Sequence, residues 1–430
     1  MDVARQTALA LLETVLSKRH AFDDSFARAV EPLAPQDRGF VRQLCATVLR
    51  RLGQIDDLID GCLQKPLPPG MPAPRDILRL GVAQLLFLNT PAHAAIDTSV
   101  SLADDHPDKR VAAFKGVINA VLRRLSQEGA AKRARQDGPR LNTPKWLWDS
   151  WAKAYGGQKA RQIAEMHLRE PPLDITLKPG LDPKQWVQKL GGQVLPTGSV
   201  RLTAAGRVEE LAGYNDGAWW VQDAAAALPA RLLGDIGGTD VVDLCAAPGG
   251  KTAQLAAAGA RVTAVDRAPP RVKTLNINLR RLKLEALVVT ADGSTWKPPS
   301  PVDAVLLDAP CSATGTIRRH PDVALLKTER DVASVKPVQA ELLKSAARMV
   351  KPGGTLVYCV CSLQPEEGPQ QIAAFLKGNQ GFSRKPVTAD EIGGLADLIT
   401  PDGDLRTLPL HLAEQGGMDG FFAARLLKKG

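Results

Sequence analysis

The chain has 430 residues, 44% of them hydrophobic, and a formal net charge of +9. This length predicts two or three domains with substantial cores, and no apolar run approaches the roughly 18 residues of a membrane-spanning helix. The positive charge favours a polyanionic partner. The N-terminal stretch MDVARQTALALLETV carries an acid and no small-residue cleavage site, so we expect a helix there and not a signal peptide.

The cysteines are sparse for a chain of this length and indicate a reducing, cytoplasmic environment. No CxxC pair or His/Cys cluster supports a zinc site. We therefore expect neither a metal nor a membrane partner, and we expect a monomer. The six cysteines are Cys45, Cys62, Cys245, Cys311, Cys359 and Cys361.

Residues 1–140 are predicted to form an all-helical domain that ends in a basic linker. Four segments repeat apolar residues at three- and four-residue spacing: ALALLETVLS, GFVRQLCATVLRRLGQIDDLI, RDILRLGVAQLLFL and AAFKGVINAVLRRL. The second presents one apolar face made of Val41, Leu44, Val48, Leu52 and Ile55. From Lys109 to Arg140 there are nine Lys or Arg against two acids, which indicates either a solvated face or a strip that follows phosphates.

Residues 141–215 are predicted to form a small α+β subdomain. The stretch begins with PKWLWDSWAKAYG and continues with a helical segment, PPLDITLKPG and short alternating segments. Trp146, Trp148 and Trp151 are expected to pack in a core or between domains, since large aromatic side chains bury much apolar area.

Residues 216–430 alternate strands and helices at the spacing of parallel βαβ units. The stretch VVDLCAAPGGKT, from Val241 to Thr252, is a strand, a glycine turn and the start of a helix. In doubly wound α/β domains such a turn opens the nucleotide site. A phosphate-binding P-loop would need glycine at position 245, where this chain has Cys245.

Acids stand at the ends of the next three predicted strands, at Asp266, Asp292 and Asp308. An acid about 20 residues after the glycine turn is placed to hold ribose hydroxyls. Three such acids suit a neutral or cationic adenosine ligand better than a triphosphate, and S-adenosylmethionine fits that description.

The last part of the chain predicts a long helix, PVQAELLKSAARMV, then the strand TLVYCVCS, and finally an edge strand in GGMDGFFAARLLKK. A parallel sheet with helices on both faces and a late antiparallel hairpin is typical of a Rossmann-like class I methyltransferase domain. We therefore predict an α/β protein in which that domain follows the all-α domain and the small α+β subdomain.

Several motifs resemble known families. DLCAAPGGKT, LLDAPCSATGTIRRHPD, KPGGTLVYCVCSLQPEE and DGFFAARLLKK resemble the NOL1/NOP2/Sun family of RNA 5-methylcytosine methyltransferases. QDRGFVRQL, LRLGVAQLLFL, PAHAAIDTSVSLA and KGVINAVLRRL resemble the NusB-like RNA-binding domain over about 120 residues. The combination implies methylation of carbon 5 of a cytosine in RNA, with small-subunit ribosomal RNA as the expected partner.

The resemblance implies roles for individual residues. The cysteine of the later motif, Cys361, is the expected nucleophile, Cys311 is expected to assist product release, and Asp308 is expected to face both cofactor and pyrimidine. A thiolate is the attacking species, so the nucleophile needs a setting that lowers its pKa. The implied S-adenosylmethionine-binding residues are Cys245, Ala246, Ala247, Pro248, Gly249, Gly250, Lys251, Asp266, Asp292 and Asp308.

The chain departs from the family pattern in two places. It reads YCVCS where the family usually reads YSTCS, so Cys359 adds a thiol, expected to be a small buried hydrophobe. It also lacks the Arg-x-Asn that commonly follows PP. Arg318, Arg319 and His320 are candidates for phosphate contacts, although His320 could equally be structural.

Two other functions remain alternatives at this stage. One is a class I methyltransferase that acts on a protein or small molecule and in which both cysteines are incidental. The other is a NusB-like RNA-binding factor without catalysis. The intact cofactor turn and the two cysteines at strand ends favour the RNA cytosine methyltransferase.

Overall fold

The structure, a computed structural model, describes residues 2–203 and 206–430. It divides into two compact units. The first comprises the chain up to Arg169 together with Ile317–Lys327, and the second comprises Glu170–Thr316 and Thr328–Gly430. This division differs from the predicted boundaries 1–140, 141–215 and 216–430. Those boundaries follow changes in composition, and they remain a prediction about folding domains.

The first unit is helical, as its apolar periodicity predicts. Four residues of the predicted apolar face, Val41, Leu44, Val48 and Ile55, are inaccessible to solvent, and the fifth, Leu52, is partly buried. The segment that carries this face is divided into two helices at Arg51, which leaves the helical conformation. The helices are α1 (Val3–Leu16), α2 (Phe22–Val30), α3 (Pro35–Arg50), α4 (Leu52–Asp60), α5 (Ala73–Leu86), α6 (Ala92–Asp104), α7 (Lys115–Ala134), α8 (Gly138–Leu141), α9 (Lys145–Tyr155) and α10 (Gly157–His167).

The basic stretch EGAAKRARQDGPR is not a linker, so that prediction is wrong. Its first half is the C-terminal part of α7, and most of the remainder leads into α8. Alanine, glutamate, lysine and arginine are strong helix formers. Glu128 also pairs with Arg124 at 3.3 Å and with Lys132 at 2.8 Å, each four residues away along the helix. Helix propensity and these pairs continue the helix through a stretch whose charge suggested a loop.

The three tryptophans predicted to pack lie in α9, within the first unit. Trp151 is fully buried, and its ring centroid lies 5.3 Å from that of His167. Trp148 lies under the guanidinium of Arg140, at 5.1 Å. Trp151 is therefore a core residue, whereas Trp146 is only half-buried.

The second unit begins with an antiparallel sheet in the order β2-β3-β1-β4. Its core contains Trp186 and Trp219. Asp174 accepts two hydrogen bonds from Arg201, both at 2.7 Å, in a fully buried ion pair. The elements are β1 (Leu173–Leu177), α11 (Pro183–Leu190), β2 (Gln193–Val194), β3 (Val200–Leu202) and β4 (Trp219–Val221).

The larger sheet of the second unit has the order β10-β12-β9-β8-β5-β6-β7, with β11 paired to β12. Strands from β9 to β7 in this order are parallel, which confirms the predicted Rossmann-like alternation. Its strands are β5 (Asp240–Leu244), β6 (Arg261–Asp266), β7 (Leu287–Thr290), β8 (Val302–Asp308), β9 (Val350–Val360), β10 (Phe382–Arg384), β11 (Leu405–Arg406) and β12 (Phe422–Lys428). The helices that follow α11 are α12 (Leu228–Arg231), α13 (Gly250–Ala257), α14 (Pro269–Leu282), α15 (Asp322–Leu326), α16 (Glu329–Met349) and α17 (Pro369–Gly378). Of these, α15 belongs to the first unit.

The final strand is not an edge strand, so that prediction is wrong. Strand β12 pairs antiparallel with β9 on one side and with β10 on the other. The short strand β10, which the sequence analysis did not identify, forms that edge of the sheet. Consistent with a central position, Phe422 and Leu426 are fully buried.

Strand order reverses between β5 and β8, where the chain goes from β5 outward to β6 and β7 and then returns to β8. In open α/β sheets, ligands bind beyond the carboxyl ends of the strands at such a switch point. Within the described ranges, no helix is both long and apolar enough to cross a membrane.

Candidate active site

The turn between β5 and α13 uses backbone conformations that side chains usually oppose. Cys245 has φ +62° and Gly249 has φ +104°, and the Ala247–Pro248 peptide bond is cis. Glycine suits position 249 because it adopts positive φ without steric cost. A Cβ at that position would also lie 3.2 Å from Leu275 Cγ. The strand, turn and helix therefore form as the sequence predicts, with close packing of the turn on α14.

A cavity of about 560 Å³ lies beyond the carboxyl ends of β5, β6, β7 and β8. Its walls bring together side chains that the sequence places far apart. Seven of the predicted site residues line it: Cys245, Ala247, Asp266, Asp292, Asp308, Cys311 and Cys361.

The cavity also has walls that the sequence analysis missed. Helix α16 contributes Pro337, Val338 and Leu342, and the region after β6 contributes Arg267 and Arg271. Both arginines come shortly after the strand-end acid Asp266 in the sequence, so their position in the cavity wall could have been predicted. Nothing in the sequence signals the α16 wall, because that helix comes from a distant part of the chain.

The two outer acids are each held by neighbouring groups. Asp266 is buried and accepts hydrogen bonds from the backbone N–H of Ala247 at 3.1 Å and of Ala268 at 3.0 Å. Asp292 accepts from the backbone and the hydroxyl of Ser294, at 2.8 and 2.6 Å. These two bonds lower the pKa of Asp292. Both carboxylates therefore have fixed positions at the cavity wall.

Five predicted cofactor-binding residues are not part of the cavity wall: Ala246, Pro248, Gly249, Gly250 and Lys251. The backbone carbonyl of Pro248 accepts a hydrogen bond from Asn278 at 2.9 Å, so it ties the turn to α14. Contact of these residues with the cofactor stays a prediction.

Lys251 is directed at Asp308. Its Nζ lies 2.7 Å from Asp308 Oδ2, and Cys359 Sγ lies 3.6 Å from Asp308 Oδ1. Burial lowers the pKa of Lys251, but the charge of Asp308, its hydrogen bond with Lys251 and the nearby Cys359 and Cys361 thiols together outweigh burial and raise the pKa. Cys359 is fully buried, as predicted, and burial raises its pKa well above the usual range. Both oxygens of Asp308 therefore have partners.

A further acid, Asp243, lies within β5 behind the cavity. It is fully buried and accepts a hydrogen bond from the Thr252 hydroxyl at 2.6 Å. Burial raises the pKa of Asp243 to about 7, although the Thr252 bond opposes the shift. The sequence alone indicates no role for this acid, and the structure shows that it supports the turn through Thr252.

The two predicted catalytic thiols lie side by side. Cys311 Sγ and Cys361 Sγ are 3.3 Å apart, and either can be the hydrogen-bond donor. The bond with Cys361, together with burial, raises the pKa of Cys311 well above its usual range. A Cys311 that keeps its proton can donate a hydrogen bond to Cys361. The structure thus brings together residues 50 positions apart, beside Asp308.

The structure contradicts one of the three candidate phosphate contacts. Arg318 is fully buried in the first unit and is therefore not available to a phosphate. His320 Nδ1 lies 2.8 Å from Asp23 Oδ2, and the Asp322 carboxylate accepts from the backbone N–H of Phe22 at 2.9 Å. These contacts anchor Ile317–Lys327 among the helices and give His320 a structural role. Arg319 is half-buried, and its contact with RNA stays a prediction.

The cavity fits an adenosine ligand that carries a sulfonium. It combines carboxylates at Asp266, Asp292 and Asp308 with apolar surface from Val265, Val338 and Leu342. Carboxylates can accept from ribose hydroxyls and favour a positive charge. A triphosphate would meet three acids at the same wall.

Comparison with known proteins agrees with this geometry. The family model described as 16S rRNA methyltransferase RsmB/F matches residues 232–427, and the NusB family model matches residues 2–127. The chain is 35% identical to the ribosomal RNA small subunit methyltransferase B of Cronobacter sakazakii, over 99% of this chain and 98% of that protein.

Two solved structures share the fold. PH0851 aligns with a TM-score of 0.76 at 24% identity, over 98% of this chain and 97% of its own. NSun6 from Pyrococcus horikoshii aligns with a TM-score of 0.56 at 18% identity, over 67% of this chain and 98% of its own. Full-length similarity to the curated relative, together with the two family models, shows that the chain belongs to the RsmB/F family of ribosomal RNA methyltransferases, with a NusB-family domain at its N-terminus.

Proposed function

We propose that this protein methylates carbon 5 of a cytosine in small-subunit ribosomal RNA, through a covalent bond between Cys361 and carbon 6 of the base. The observation that carries the proposal is the pair of thiols, 3.3 Å apart, in the cavity that Asp308 also lines. Alkylation of a ring nitrogen or a hydroxyl oxygen needs no thiol, because those atoms carry their own lone pair.

The substrate class and cofactor follow from the family. The relative from Cronobacter sakazakii is by its name a ribosomal RNA small subunit methyltransferase, and its full-length match supports the same RNA as the substrate of this chain. The cofactor is S-adenosylmethionine, which when bound supplies a methyl group attached to a positively charged sulfur. Asp266 and Asp292 would hold its polar groups.

Carbon 5 of cytosine is too electron-poor to attack that methyl group directly. Addition of the Cys361 thiolate to carbon 6 forms a C–S bond and moves the electron pair of the C5–C6 double bond into the ring, which makes carbon 5 nucleophilic. After carbon 5 takes the methyl group, a base removes its proton. The electron pair of that C–H bond re-forms the double bond as the thiolate leaves.

The two thiols have different roles in this scheme. Because its pKa is raised, Cys311 keeps its proton and is suited to donate a hydrogen bond to the Cys361 thiolate. Such a bond stabilises the thiolate both before attack and as it leaves. The contact at 3.3 Å allows either thiol to donate, and the choice of Cys361 as the nucleophile and Cys311 as the residue that assists release is the one that the family resemblance implies.

Asp308 is the residue that we propose contacts the cytosine ring. Its carboxylate lines the cavity while Lys251 and Cys359 fix its two oxygens. Negative charge builds on the ring as the thiolate adds, and a proton taken up from solvent when the base binds would be held between the Asp308 carboxylate and N3, where it stabilises that charge. Preorganised groups of this kind give large rate effects because they need no reorganisation during the reaction.

RNA binding is assigned to the helical first unit. The NusB family model matches residues 2–127 of that unit, and α7 presents exposed basic side chains such as Lys115 and Arg123. Binding of phosphates by such side chains weakens steeply as salt rises. Because the proposed substrate is ribosomal RNA and none of the six cysteines, all within the described residues, forms a disulfide, we propose that the protein acts in the cytoplasm.

The test is the fate of the methyl group. Purified protein is incubated with methyl-labelled S-adenosylmethionine and small-subunit ribosomal RNA transcribed in vitro, and nucleosides are then analysed by mass spectrometry. We expect label in 5-methylcytidine. Label in another nucleoside would contradict carbon 5 as the target, and label in protein or in nothing would favour the two alternative functions.

A further inference from the structure

A buried carboxylate, Glu367, lies behind the two catalytic thiols. It is fully buried, it is not part of the cavity wall, and the proposed mechanism gives it no role. In the sequence it is the second glutamate of CSLQPEE, six residues after Cys361. A buried carboxylate is costly unless hydrogen bonds compensate the lost hydration, so its partners indicate why it is there.

Glu367 accepts hydrogen bonds from three separate parts of the chain. Its Oε2 accepts from the backbone N–H of Ser312 at 2.8 Å and from Gln339 Nε2 at 2.9 Å. Its Oε1 accepts from the hydroxyl of Ser362 at 2.6 Å and from that of Ser312. A carboxylate accepts only, so one side chain gathers donors from both cysteine loops.

The two serines are the residues that directly follow the two catalytic cysteines. Ser312 follows Cys311, Ser362 follows Cys361, and both are fully buried. The loops also meet through their backbones, since the N–H of Gly315 donates to the carbonyl of Cys361 at 3.0 Å. Glu367 therefore forms a hydrogen bond with the residue next to each thiol, Ser312 and Ser362.

The proposed reaction requires the two sulfur atoms to be held in fixed positions. The sulfur that attacks carbon 6 and the thiol that assists its release belong to loops 50 residues apart, so their separation depends on contacts between the loops. A displacement of about 1 Å in a reacting group can lower a rate roughly a hundredfold. The thiols themselves share only one weak contact.

We propose that Glu367 is a positioning residue, which holds the Cys361 loop against the Cys311 loop by binding Ser312 and Ser362 with the same carboxylate and so fixes where the Cys361 sulfur meets carbon 6. This inference rests on the proposed function of the two thiols. It assigns Glu367 no contact with RNA or cofactor.

Two substitutions distinguish a positioning role of Glu367 from a role of its negative charge. In Glu367→Gln the amide oxygen can accept from the Ser312 N–H and from Gln339, while the amide NH2 can donate to the two serine hydroxyls, which accept as well as donate. The link between the loops then survives without the negative charge. In Glu367→Ala all bonds through the carboxylate are lost, and the loops keep their direct contacts, among them the Gly315–Cys361 backbone bond and the contact between the Ser312 and Ser362 hydroxyls at 3.1 Å.

The experiment measures the rate of covalent adduct formation with small-subunit ribosomal RNA that contains 5-fluorocytidine. With S-adenosylmethionine present, methyl transfer leaves carbon 5 bearing fluorine and a methyl group, with no proton to remove, so the adduct persists on a denaturing gel. We expect Glu367→Ala to form adduct about a hundredfold more slowly and Glu367→Gln to stay within about threefold of wild type. We expect the calorimetric affinity of both variants for S-adenosylmethionine to stay within about threefold of wild type.

Two further variants keep the test decisive if Glu367→Ala folds poorly. The double variant Ser312→Ala/Ser362→Ala removes the hydroxyl bonds without a large cavity, and we expect adduct formation to slow about tenfold. Asp174→Asn is a control that alters another fully buried carboxylate, in the small sheet. It should lower the thermal unfolding midpoint but leave the adduct rate per folded molecule unchanged.

The outcomes are distinguishable. Wild-type protein that forms no adduct and no 5-methylcytidine would overturn the proposed function. Active wild type with Glu367→Ala, or the serine double variant, at the wild-type rate would overturn the positioning role alone. A Glu367→Gln variant as slow as Glu367→Ala would show that the charge matters, and it would also overturn positioning as the role.

Discussion

The cofactor turn and the cysteine pair lie at the same edge of the sheet but are built in different ways. The turn is one continuous segment, Asp240–Ala257, whose shape comes from local features such as the positive φ of Gly249. The cysteine pair is assembled from two loops that are 50 residues apart and share hydrogen bonds through Glu367. The turn therefore takes its shape from local structure, whereas the cysteine pair depends on long-range contacts.

The largest difference should appear at the acid between the two regions. In Asp308→Asn the amide oxygen can still accept from Lys251, but the carboxyl that holds cytosine N3 is gone. We expect kcat for methyl transfer to fall about a thousandfold, since removal of a group that stabilises transition-state charge costs roughly 10²–10³ or more. The affinity for S-adenosylmethionine should change less than tenfold. Steady-state kinetics and calorimetric titration measure the two effects, and a loss confined to affinity would place Asp308 with the cofactor turn.

The acid in β5 that supports the turn, Asp243, should affect the stability of the fold and not the chemistry. Its pKa is raised to about 7 in the folded chain, against about 4 in an unfolded one. The folded state therefore binds a proton that the unfolded state has lost, and stability is lost as pH rises from about 4 to about 7. Asp243→Asn lacks this titration, so its stability relative to wild type should improve by roughly 1 kcal/mol per pH unit in that window. Denaturant unfolding at several pH values measures the difference, and a constant difference would contradict the raised pKa.

Asp266 should show the opposite pattern to Asp308. Asp266→Ala is expected to weaken S-adenosylmethionine binding ten- to a hundredfold, because a lost hydrogen bond to a charged group costs ~1.5–3 kcal/mol. Adduct formation at saturating cofactor should stay near the wild-type rate. Unchanged affinity in a calorimetric titration would remove Asp266 from the cofactor site.

The smallest effect is expected at Cys359. Its thiol makes one long contact with Asp308, at 3.6 Å, and thiols are weak donors. Cys359→Ala should change kcat less than about threefold, and Cys359→Ser, which restores a stronger donor, should equal or exceed wild type. A tenfold loss in Cys359→Ala with full recovery in Cys359→Ser would instead make that contact part of the support of Asp308.

The difference between the turn and the cysteine pair also explains which features of the site the sequence could predict. The turn could be predicted because its strand, glycines and helix are consecutive, and the lining acids because each ends a strand. The pairing of Cys311 with Cys361 came from resemblance to a family, since no local pattern joins residues 50 positions apart. The link through Glu367 and the cavity wall from α16 were missed because both depend on how distant segments pack.

Two of the wrong predictions, those for the basic stretch and for Arg318, have related reasons. The basic stretch after position 127 continues α7, because charge alone does not report helix propensity. Arg318 follows the Cys311 loop in sequence, yet it is buried among the helices of the first unit. Proximity in sequence to a site does not ensure that a side chain is exposed there.

The central claim is that Cys361 attacks and Cys311 assists release, and the two alanine variants test it most directly. Each variant is incubated with unmodified small-subunit ribosomal RNA and S-adenosylmethionine and then run on a denaturing gel, with Cys359→Ala as the matched thiol control. Cys311→Ala should accumulate a covalent protein–RNA adduct, because attack proceeds and release fails. Cys361→Ala should form none, and Cys359→Ala should resemble wild type. An adduct that persists in Cys361→Ala and is absent in Cys311→Ala would contradict the account and make Cys311 the nucleophile.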